Sequence, residues 1–459
     1  MVGGVYCPLS PRDPQHRLHA LTQQTQSRLV LIHWLSKMNF NDDILAIDIQ
    51  SIAANNDIVS DIDIDRLSSI AITPNDIAYV IFTSGSTGIP KAVQIRHENF
   101  TRYMYSFVSV STLNEDDVAV QMSRSSFDVH LQQIVGVLLI GATLIMLRAR
   151  GMTDFDYLAD VLNKKQITYL NTAPVLFQSF FSYLSQYKKT YVVKYLRSLC
   201  SGGEAFASKL IDLIRESNIP NYTLWNLYGP AETTITSTLH LVDTGVATKC
   251  IPIGRSLCNY RCLILNEFLQ NTSVNQEGEL FVGGGGVFAG YLGRDDLTAK
   301  ALVEIDYELF YRTGDLVTSD NNGLLHYQGR KDHQIKLHGQ RIELSEIERC
   351  LLNTFISACV VIKWNDDHLA AYVQSSSHIN EEQLRQHCRS HLPPHMIPSI
   401  FIILEELPLN QNGKVDRKLL PPPHFSFVPL TNSTELLLPT SDIEYWWSFN
   451  NYHATISSI

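Results

Sequence analysis

No apolar run in this chain reaches the roughly 18 residues that a membrane-crossing helix requires. The start, MVGGVYCPLSPRDPQHRL, has neither the apolar core nor the cleavage pattern of a secretory signal. The eight cysteines are scattered, and the nearest pair, Cys258 and Cys262, has no second pair at zinc spacing. That argues for reduced thiols and against a disulfide scaffold, so a cytoplasmic location is expected. Without secretion, the N-x-S/T sequons at Asn99, Asn221, Asn271 and Asn432 carry no meaning. Positive charge is also short. Lys and Arg total 36 against 46 Asp and Glu, a net charge of −10 that gives nucleic acid no electrostatic footprint. A single small nucleotide, which needs only a few local donors, is not excluded.

What is present describes an ordinary globular chain, 45% hydrophobic and 18% charged, and 459 residues is enough for two or three domains. Between residues 28 and 330, short apolar runs alternate with helical patterns. AYVIF (78–82), VAVQM (118–122), ATLIML (142–147) and ELFVGG (279–284) read as strands. FDYLADVLNKK (155–165) and SKLIDLIRES (208–217) read as amphipathic helices. The interleaving predicts an α/β domain with mainly parallel sheets covered by helices. A smaller α+β unit follows GRKDHQIKLHG (329–339). Its helices fall on ELSEIERCLLN (343–353) and NEEQLRQHCRSHL (380–392), its strands on ACVVIKW (358–364) and HLAAYVQ (368–374). The prolines at 421–423 break structure, and the residues after them are expected to be weakly folded.

Chemistry concentrates in a few loops. SGSTGIPKA (84–92) follows the strand-like IAYVIFT (77–83) and offers hydroxyls, backbone N–H groups and Lys91 to an anion. It is not a Walker loop: Gly85 and Gly88 are too close, and Pro90 precedes the lysine. NLYGPAETT (226–234) puts Tyr228, whose ring suits a purine, near Glu232, a carboxylate suited to Mg²⁺ beside phosphates. YRTGDL (311–316) places Asp315 in a turn where it suits two ribose hydroxyls. GRKDHQIK (329–336) supplies Arg330 and Lys336, and NQNGKVDR (410–417) presents Lys414. Taken singly, each is more ordinarily a solvated loop charge. His387, His391 and His395 recur at i, i+4 and i+8, but Pro393 and Pro394 interrupt the last interval and weigh against a three-histidine metal site. GGGG (283–286) reads as sharp turns between strands, and CNYRC (258–262) as structural.

Together and in order, FTSGSTGIPKAV, NLYGPAETT, GELFVGGGGVFAGYL, YRTGDLV, GRKDHQIKLHGQRIELSEIE and LPLNQNGKVDR closely resemble the core motifs of the adenylate-forming (AMP-binding) superfamily. Within it the chain resembles the amino-acid adenylation domains of nonribosomal peptide synthetases over about residues 3 to 421. The resemblance implies an acyl-CoA synthetase/luciferase-like fold: a large α/β subdomain (1–329), a hinge (330–332), and a smaller mobile α+β subdomain (333–424). Residues 425–459 would be a linker and the incomplete start of a carrier domain. By the same resemblance the chain looks truncated at both ends, without an opening segment and without the carrier's attachment serine.

The resemblance implies that a substrate carboxylate attacks the α-phosphate of ATP, giving an acyl-adenylate and pyrophosphate. Such a carboxylate is already ionised at pH 7, so catalysis must come from positioning and charge neutralisation. Thr83, Ser84, Gly85, Ser86, Thr87, Gly88 and Lys91 would grip the β- and γ-phosphates, and Glu232 would help hold Mg²⁺. Asn226 and Tyr228 would contact adenine, Asp315 the ribose, and Arg330 the ribose–phosphate side, with Tyr327 and Lys336 in support. Lys414 would bridge the substrate carboxylate and the adenylate oxygens. Asp332 would be the hinge for thioester formation with the phosphopantetheine thiol of a partner carrier domain.

Asp128 matches the aspartate that pairs with the α-amino group of an amino-acid substrate; as an isolated residue it would equally cap a helix starting near Val129. The remaining pocket positions would be Val129, Gln132, Asn171, Cys200, Gly202, Leu227 and Ile235, whose amides point weakly to a polar or modest-sized substrate side chain. Departures from the family pattern are Ala92, Ala231 and His338, where glycine, threonine and arginine are common. Two alternatives remain open at the level of sequence: a catalytically silent truncated remnant that binds nucleotide, and an acyl- or aryl-acid coenzyme A ligase.

Overall fold

Parallel strands need crossover connections, and the amphipathic segments of this chain supply them. A computed structural model describes residues 3–33, 44–50, 71–85, 88–204, 206, 208–245, 251–332, 334–337, 339–352, 354, 356–364, 368–375, 379–408, 415, 417 and 419–423. Its central sheet has seven strands, in the spatial order Arg255–Ser256, Thr238–Leu241, Thr223–Tyr228, Ser198–Gly202, Tyr169–Thr172, Val118–Val120, Thr143–Ile145. The run from Thr223–Tyr228 to Thr143–Ile145 is parallel, and the other two strands add antiparallel. Helices Phe155–Lys164, Pro174–Gln186 and Ser208–Glu216 make the connections. Their apolar faces bury Leu158, Leu162, Phe177, Phe181, Leu210 and Ile214 in one core beneath the sheet.

The expectation of mainly parallel sheets holds for this layer and for the small pair Leu29–Ile32/Leu45–Asp48, and fails for the other two sheets of the large unit. A five-stranded sheet pairs Tyr260–Leu265, Gly278–Gly284, Glu308–Ser319, Leu302–Ile305 and Leu325–Arg330, every pair antiparallel. Gly290–Tyr291, Lys91–Arg96 and Ile77–Thr83 form a third sheet, also antiparallel. Links between paired strands, such as 305–308 and 319–325, are too short for a crossover helix. In the glycine run 283–286, a Cβ on Gly283 would meet the Phe310 ring at 2.6 Å and one on Gly286 the Tyr260 hydroxyl at 2.0 Å. Those glycines let the backbone pass tightly over aromatic rings. No helix among the described residues is long and apolar enough to cross a membrane.

The strand expected over 118–122 ends at Val120. The N–H groups of Met122 and Ser123 instead donate to the Gln133 side-chain oxygen, at 2.9 and 2.7 Å. The helix expected from 343 begins at Leu344, because Glu343 still pairs with Gln334 in the hairpin Gln334–Leu337/Gln340–Glu343. Beyond the hairpin, strands Ala358–Trp364, His368–Gln374 and Ile400–Leu404 form a three-stranded sheet. Helices Leu344–Leu352 and Glu381–His391 cover it, burying Ile347, Leu351, Val361, Ala371, Leu384 and Phe401 in a separate core. The expected tail, 425–459, lies outside the described residues.

One buried carboxylate ties together the leading ends of the parallel strands. Asp117, 2% exposed, accepts from the Asn114 N–H at 2.8 Å, the Thr168 hydroxyl at 2.7 Å and the Arg197 guanidinium at 2.5 and 3.0 Å. The opposite, carboxyl-terminal ends of the same strands are thereby held in register, and ligands in open α/β sheets bind at those ends. Asp117→Ala should leave Arg197 and Thr168 without their acceptor and cost about 2 kcal/mol, Arg197 being partly solvated. A lower urea midpoint with an unchanged m-value would show it; an unchanged midpoint would remove Asp117 from this role.

Candidate functional site

Past the carboxyl ends of the parallel strands, four distant stretches of chain meet. The first is the loop after strand Ile77–Thr83. A Cβ on Gly85 would lie 1.9 Å from the Ile89 carbonyl oxygen, and Gly88, at φ +76°, donates to the Gly85 carbonyl at 2.8 Å. Only glycines allow so tight a turn. The Ser84 hydroxyl donates to the Arg341 carbonyl at 2.9 Å, and the Glu346 carboxylate accepts from the Gly85 N–H. The Thr83 hydroxyl is buried with no hydrogen-bond partner among the described residues, a cost of roughly 1–3 kcal/mol unless a ligand takes it up. Ser86 and Thr87 lie outside the described residues. Lys91 opens the next strand, its Nζ 3.8 Å from Glu343 and 5.7 Å from the Tyr291 ring centroid. Burial and the neighbouring Arg341 lower its pKa, against the pull of Glu232 and Glu343. Ala92 is a fully buried strand residue facing Phe82, a position that does not demand glycine.

Glu232, the second element, is 0% exposed. Its carboxylate accepts from the Tyr291 hydroxyl at 2.8 Å and faces the Arg341 guanidinium, 3.3 Å from both oxygens. Burial alone would raise its pKa, but Arg341, Lys91 and Tyr291 together hold it below the ordinary range. The expectation that Glu232 holds Mg²⁺ therefore meets a guanidinium already in place. With that carboxylate taken, the residues present do not fit a magnesium ion in this arrangement.

Third is an aromatic–carboxylate–guanidinium chain. Tyr228 donates its hydroxyl to Asp315 at 2.5 Å. Arg330 donates to Asp315 at 2.7 Å and grips Asp332 with two bonds of 2.7 Å. Asp332 also accepts from the Gln334 N–H at 3.1 Å, so the expected hinge residue is clamped from both sides. Lys336 stands 5.2 Å from the Tyr228 ring centroid, its pKa lowered by burial. Tyr327 is half-exposed on the strand leading to Arg330, and burial of its hydroxyl raises its pKa to about 12. The Asn226 amide donates to the Pro252 carbonyl at 2.7 Å.

The fourth element is a recess around Asp128. This residue makes no cap hydrogen bond to the helix Val129–Leu131, which removes the capping reading. Burial raises its pKa to about 6, against the nearby backbone N–H groups of Val129 and Ile235. Ile235 reaches it through two consecutive left-handed residues, Thr234 at φ +58° and Ile235 at φ +68°. Such a conformation costs β-branched residues about 1–3 kcal/mol each and concentrates where function holds it. Val129, Cys200 and Leu227 pack into the same core, with Ile235 beside them. Gly202 is required, since a Cβ there would lie 2.4 Å from the Leu227 carbonyl. The pocket amides are already engaged. Gln132 accepts from Tyr103 and donates to Tyr169, both at 2.8 Å, and the Asn171 amide faces Gln132 at 3.5 Å. They are not free donors for a polar substrate side chain.

The hairpin 334–343 closes the site from the small unit. The Gly339 N–H donates to Glu204 at 2.6 Å, Arg341 reaches Glu232, and Arg17 of the large unit pairs with Glu346 at 2.9 Å. Sequence reasoning quoted the stretch containing Arg341, Glu343 and Glu346 but singled out none of them. A basic residue flanked by glutamates on a strand is indistinguishable from a solvated face until the hairpin is docked. Lys414 and His338 lie outside the described residues.

The AMP-binding enzyme family model matches residues 1–292, and the AMP-binding enzyme C-terminal domain matches residues 346–414. Tyrocidine synthase 3 of Brevibacillus parabrevis is 34% identical over 431 residues, 92% of this chain but 6% of that protein. Gramicidin S synthase 1 of Brevibacillus brevis is 31% identical over 438 residues, 93% of this chain and 38% of that protein. The chain thus spans only a small part of these curated relatives. Among solved structures, the Vibrio cholerae adenylation domain AlmE in complex with glycyl-adenosine-5'-phosphate superposes with a TM-score of 0.78 at 24% identity, covering 90% of this chain and 83% of that one. Holo-PA1221, a nonribosomal peptide synthetase protein containing adenylation and PCP domains, has a TM-score of 0.78 at 26% identity, covering 91% and 71%. With a family model matched over well more than half its length and a shared two-part fold, the chain belongs to the AMP-binding enzyme family.

Proposed function

We propose that this chain activates an amino acid as its aminoacyl-adenylate and passes it to the phosphopantetheine thiol of a carrier domain. One observation carries the reading: the glycine loop, Glu232, the Tyr228–Asp315–Arg330 chain and the part-buried Asp128 converge on one face. Family membership, the glycyl-adenylate on AlmE and the adenylation–PCP pairing in PA1221 support it. ATP enters as its magnesium complex. The substrate carboxylate oxygen bonds to the α-phosphorus as the bond to the pyrophosphate oxygen breaks. The carrier thiol then attacks the carbonyl carbon, and AMP departs with its bonding electrons.

In this reading Thr83, Ser84, Gly85, Ser86, Thr87, Gly88 and Lys91 grip the leaving pyrophosphate. Tyr228 and Asn226 flank adenine, Asp315 takes the ribose hydroxyls, and Arg330, Tyr327 and Lys336 support them. Asp128 pairs with the substrate ammonium, in the recess bounded by Val129, Gln132, Asn171, Cys200, Gly202, Leu227 and Ile235. Lys414 bridges the reacting carboxylate and phosphate after the small unit turns about Asp332, the division falling at 330–332. Glu232 stays paired with Arg341. We place the chain in the cytoplasm, as one module of a larger synthetase.

ATP–pyrophosphate exchange tested against single amino acids should show stimulation by a narrow set. Lys414→Ala should suppress exchange by roughly 10²–10³-fold, the usual cost of removing a transition-state charge partner. A thermal shift with Mg·ATP but no stimulated exchange would support the nucleotide-binding remnant. Activity on carboxylic acids lacking an α-amine would support the coenzyme A ligase.

The raised pKa of Asp128 sets a pH dependence. The carboxylate is ionised above about 6 and protonates below it, so its pairing with an ammonium fades as pH falls. Between pH 7 and pH 5, KM for the amino acid should rise about tenfold while KM for ATP moves little. Asp128→Asn should have a high KM that is flat across this range; a variant retaining the wild-type profile would remove Asp128 as the titrating group.

A further inference from the structure

Away from this site, the two helices of the small unit bring metal-ligating side chains together. Helix Leu344–Leu352 contributes Cys350, and helix Glu381–His391 contributes His387 and His391, one turn apart on the same face. The ligand atoms of Cys350, His387 and His391 all lie within 4.8 Å of one another. The two imidazoles stack, with ring centroids 4.2 Å apart. From these positions we propose a binding site for one zinc-class transition-metal ion at Cys350, His387 and His391, with water as its fourth ligand.

The groups around the three side chains suit this role. His387 Nε2 contacts the Cys350 carbonyl at 3.0 Å, and His391 Nδ1 contacts the His387 carbonyl at 2.9 Å. A carbonyl accepts only from a protonated nitrogen, so each ring keeps its lone pair on the other nitrogen. One thiolate with two imidazoles is a borderline-soft donor set, which selects zinc or cobalt over magnesium or calcium. A tetrahedral zinc ion needs donors about 3.3–3.7 Å apart, from bond lengths of about 2.0–2.3 Å. Cys350 is held in the core, while His391 is exposed at the helix end, so rotation of the imidazoles closes the difference.

The position gives the ion a consequence. The His391 ring also lies tilted against His16, centroids 5.2 Å apart, in the helix Gln15–Gln24 of the large unit. The Arg17–Glu346 pair, on the first turns of helices Gln15–Gln24 and Leu344–Leu352, crosses the same seam. An ion there fastens the small unit's two helices to each other and recruits a histidine that otherwise contacts the large unit. The spacing of His387, His391 and His395 weighs against a three-histidine site; the third ligand proposed here is Cys350, on the other helix.

The test uses the full chain, reduced and stripped with chelator, titrated with Co(II) and then with Zn(II). Expected are saturable binding of Co(II) with a thiolate-to-cobalt charge-transfer band, loss of that band as Zn(II) displaces it, and a zinc-dependent rise in Tm. Cys350→Ser should abolish the band. Because Cys350 is a core residue, its variant is checked for a native circular dichroism spectrum. His391→Gln, at an exposed position, should weaken Co(II) binding at least tenfold whatever the serine variant does. Absence of the band in the unmodified chain would overturn the proposal, as would wild-type Co(II) affinity in His391→Gln or persistence of the band in Cys350→Ser.

Discussion

A carboxylate with no access to water must find a cation, and in this protein Glu232 finds Arg341. Desolvating an unpaired carboxylate would be prohibitive, so the turn that carries Glu232 and the hairpin that carries Arg341 are held together across the seam between the two units. Much of the site is organised around that contact. The Arg341 carbonyl takes the Ser84 hydroxyl, and the same hairpin brings Glu343 to Lys91 and Lys336 to the Tyr228 ring. Tyr291, reaching Glu232 from the short strand against Lys91–Arg96, ties in the third sheet. The groups proposed to meet the nucleotide are thus engaged by side chains of the small unit.

The large unit supplies the rigid half of the site. Asp117 ties the starting ends of the parallel strands, and the cores above and below the sheet fix their direction, so the opposite ends present Asn171, Cys200, Gly202 and Tyr228 at fixed spacing. The left-handed pair Thr234–Ile235 bends the chain just after Glu232 and aims an N–H at Asp128, so one short turn links the two carboxylates. The Arg330 clamp on Asp315 and Asp332 links Asp315 to the junction of the two units.

Elements with strong periodicity were legible directly. The helices at 155–165 and 208–217 and the strands at 358–364 and 368–374 stand where the apolar spacing put them, because each buries one face against its own local core. What periodicity could not show was pairing. Whether two strands run parallel or antiparallel depends on what joins them and what they meet, so the two antiparallel sheets of the large unit were missed. Ends were missed where a side chain competes for backbone groups, as Gln133 does at Met122 and Ser123.

The sequence by itself determined the family, the order of the motifs, and the candidates proposed for phosphate, ribose and an ammonium group, because these follow from residue type and local turn chemistry. It also placed the glycines that the loop at 85–88 cannot do without. Only the tertiary structure decided which of those residues meet, and in what company. Arg341 rather than a metal stands beside Glu232, Tyr103 and Tyr169 occupy the pocket glutamine, and Cys350 joins two histidines on a neighbouring helix. The reason is physical: burial, and with it the worth of a charge or a hydrogen bond, is set by neighbours from distant parts of the chain, and no local pattern records them.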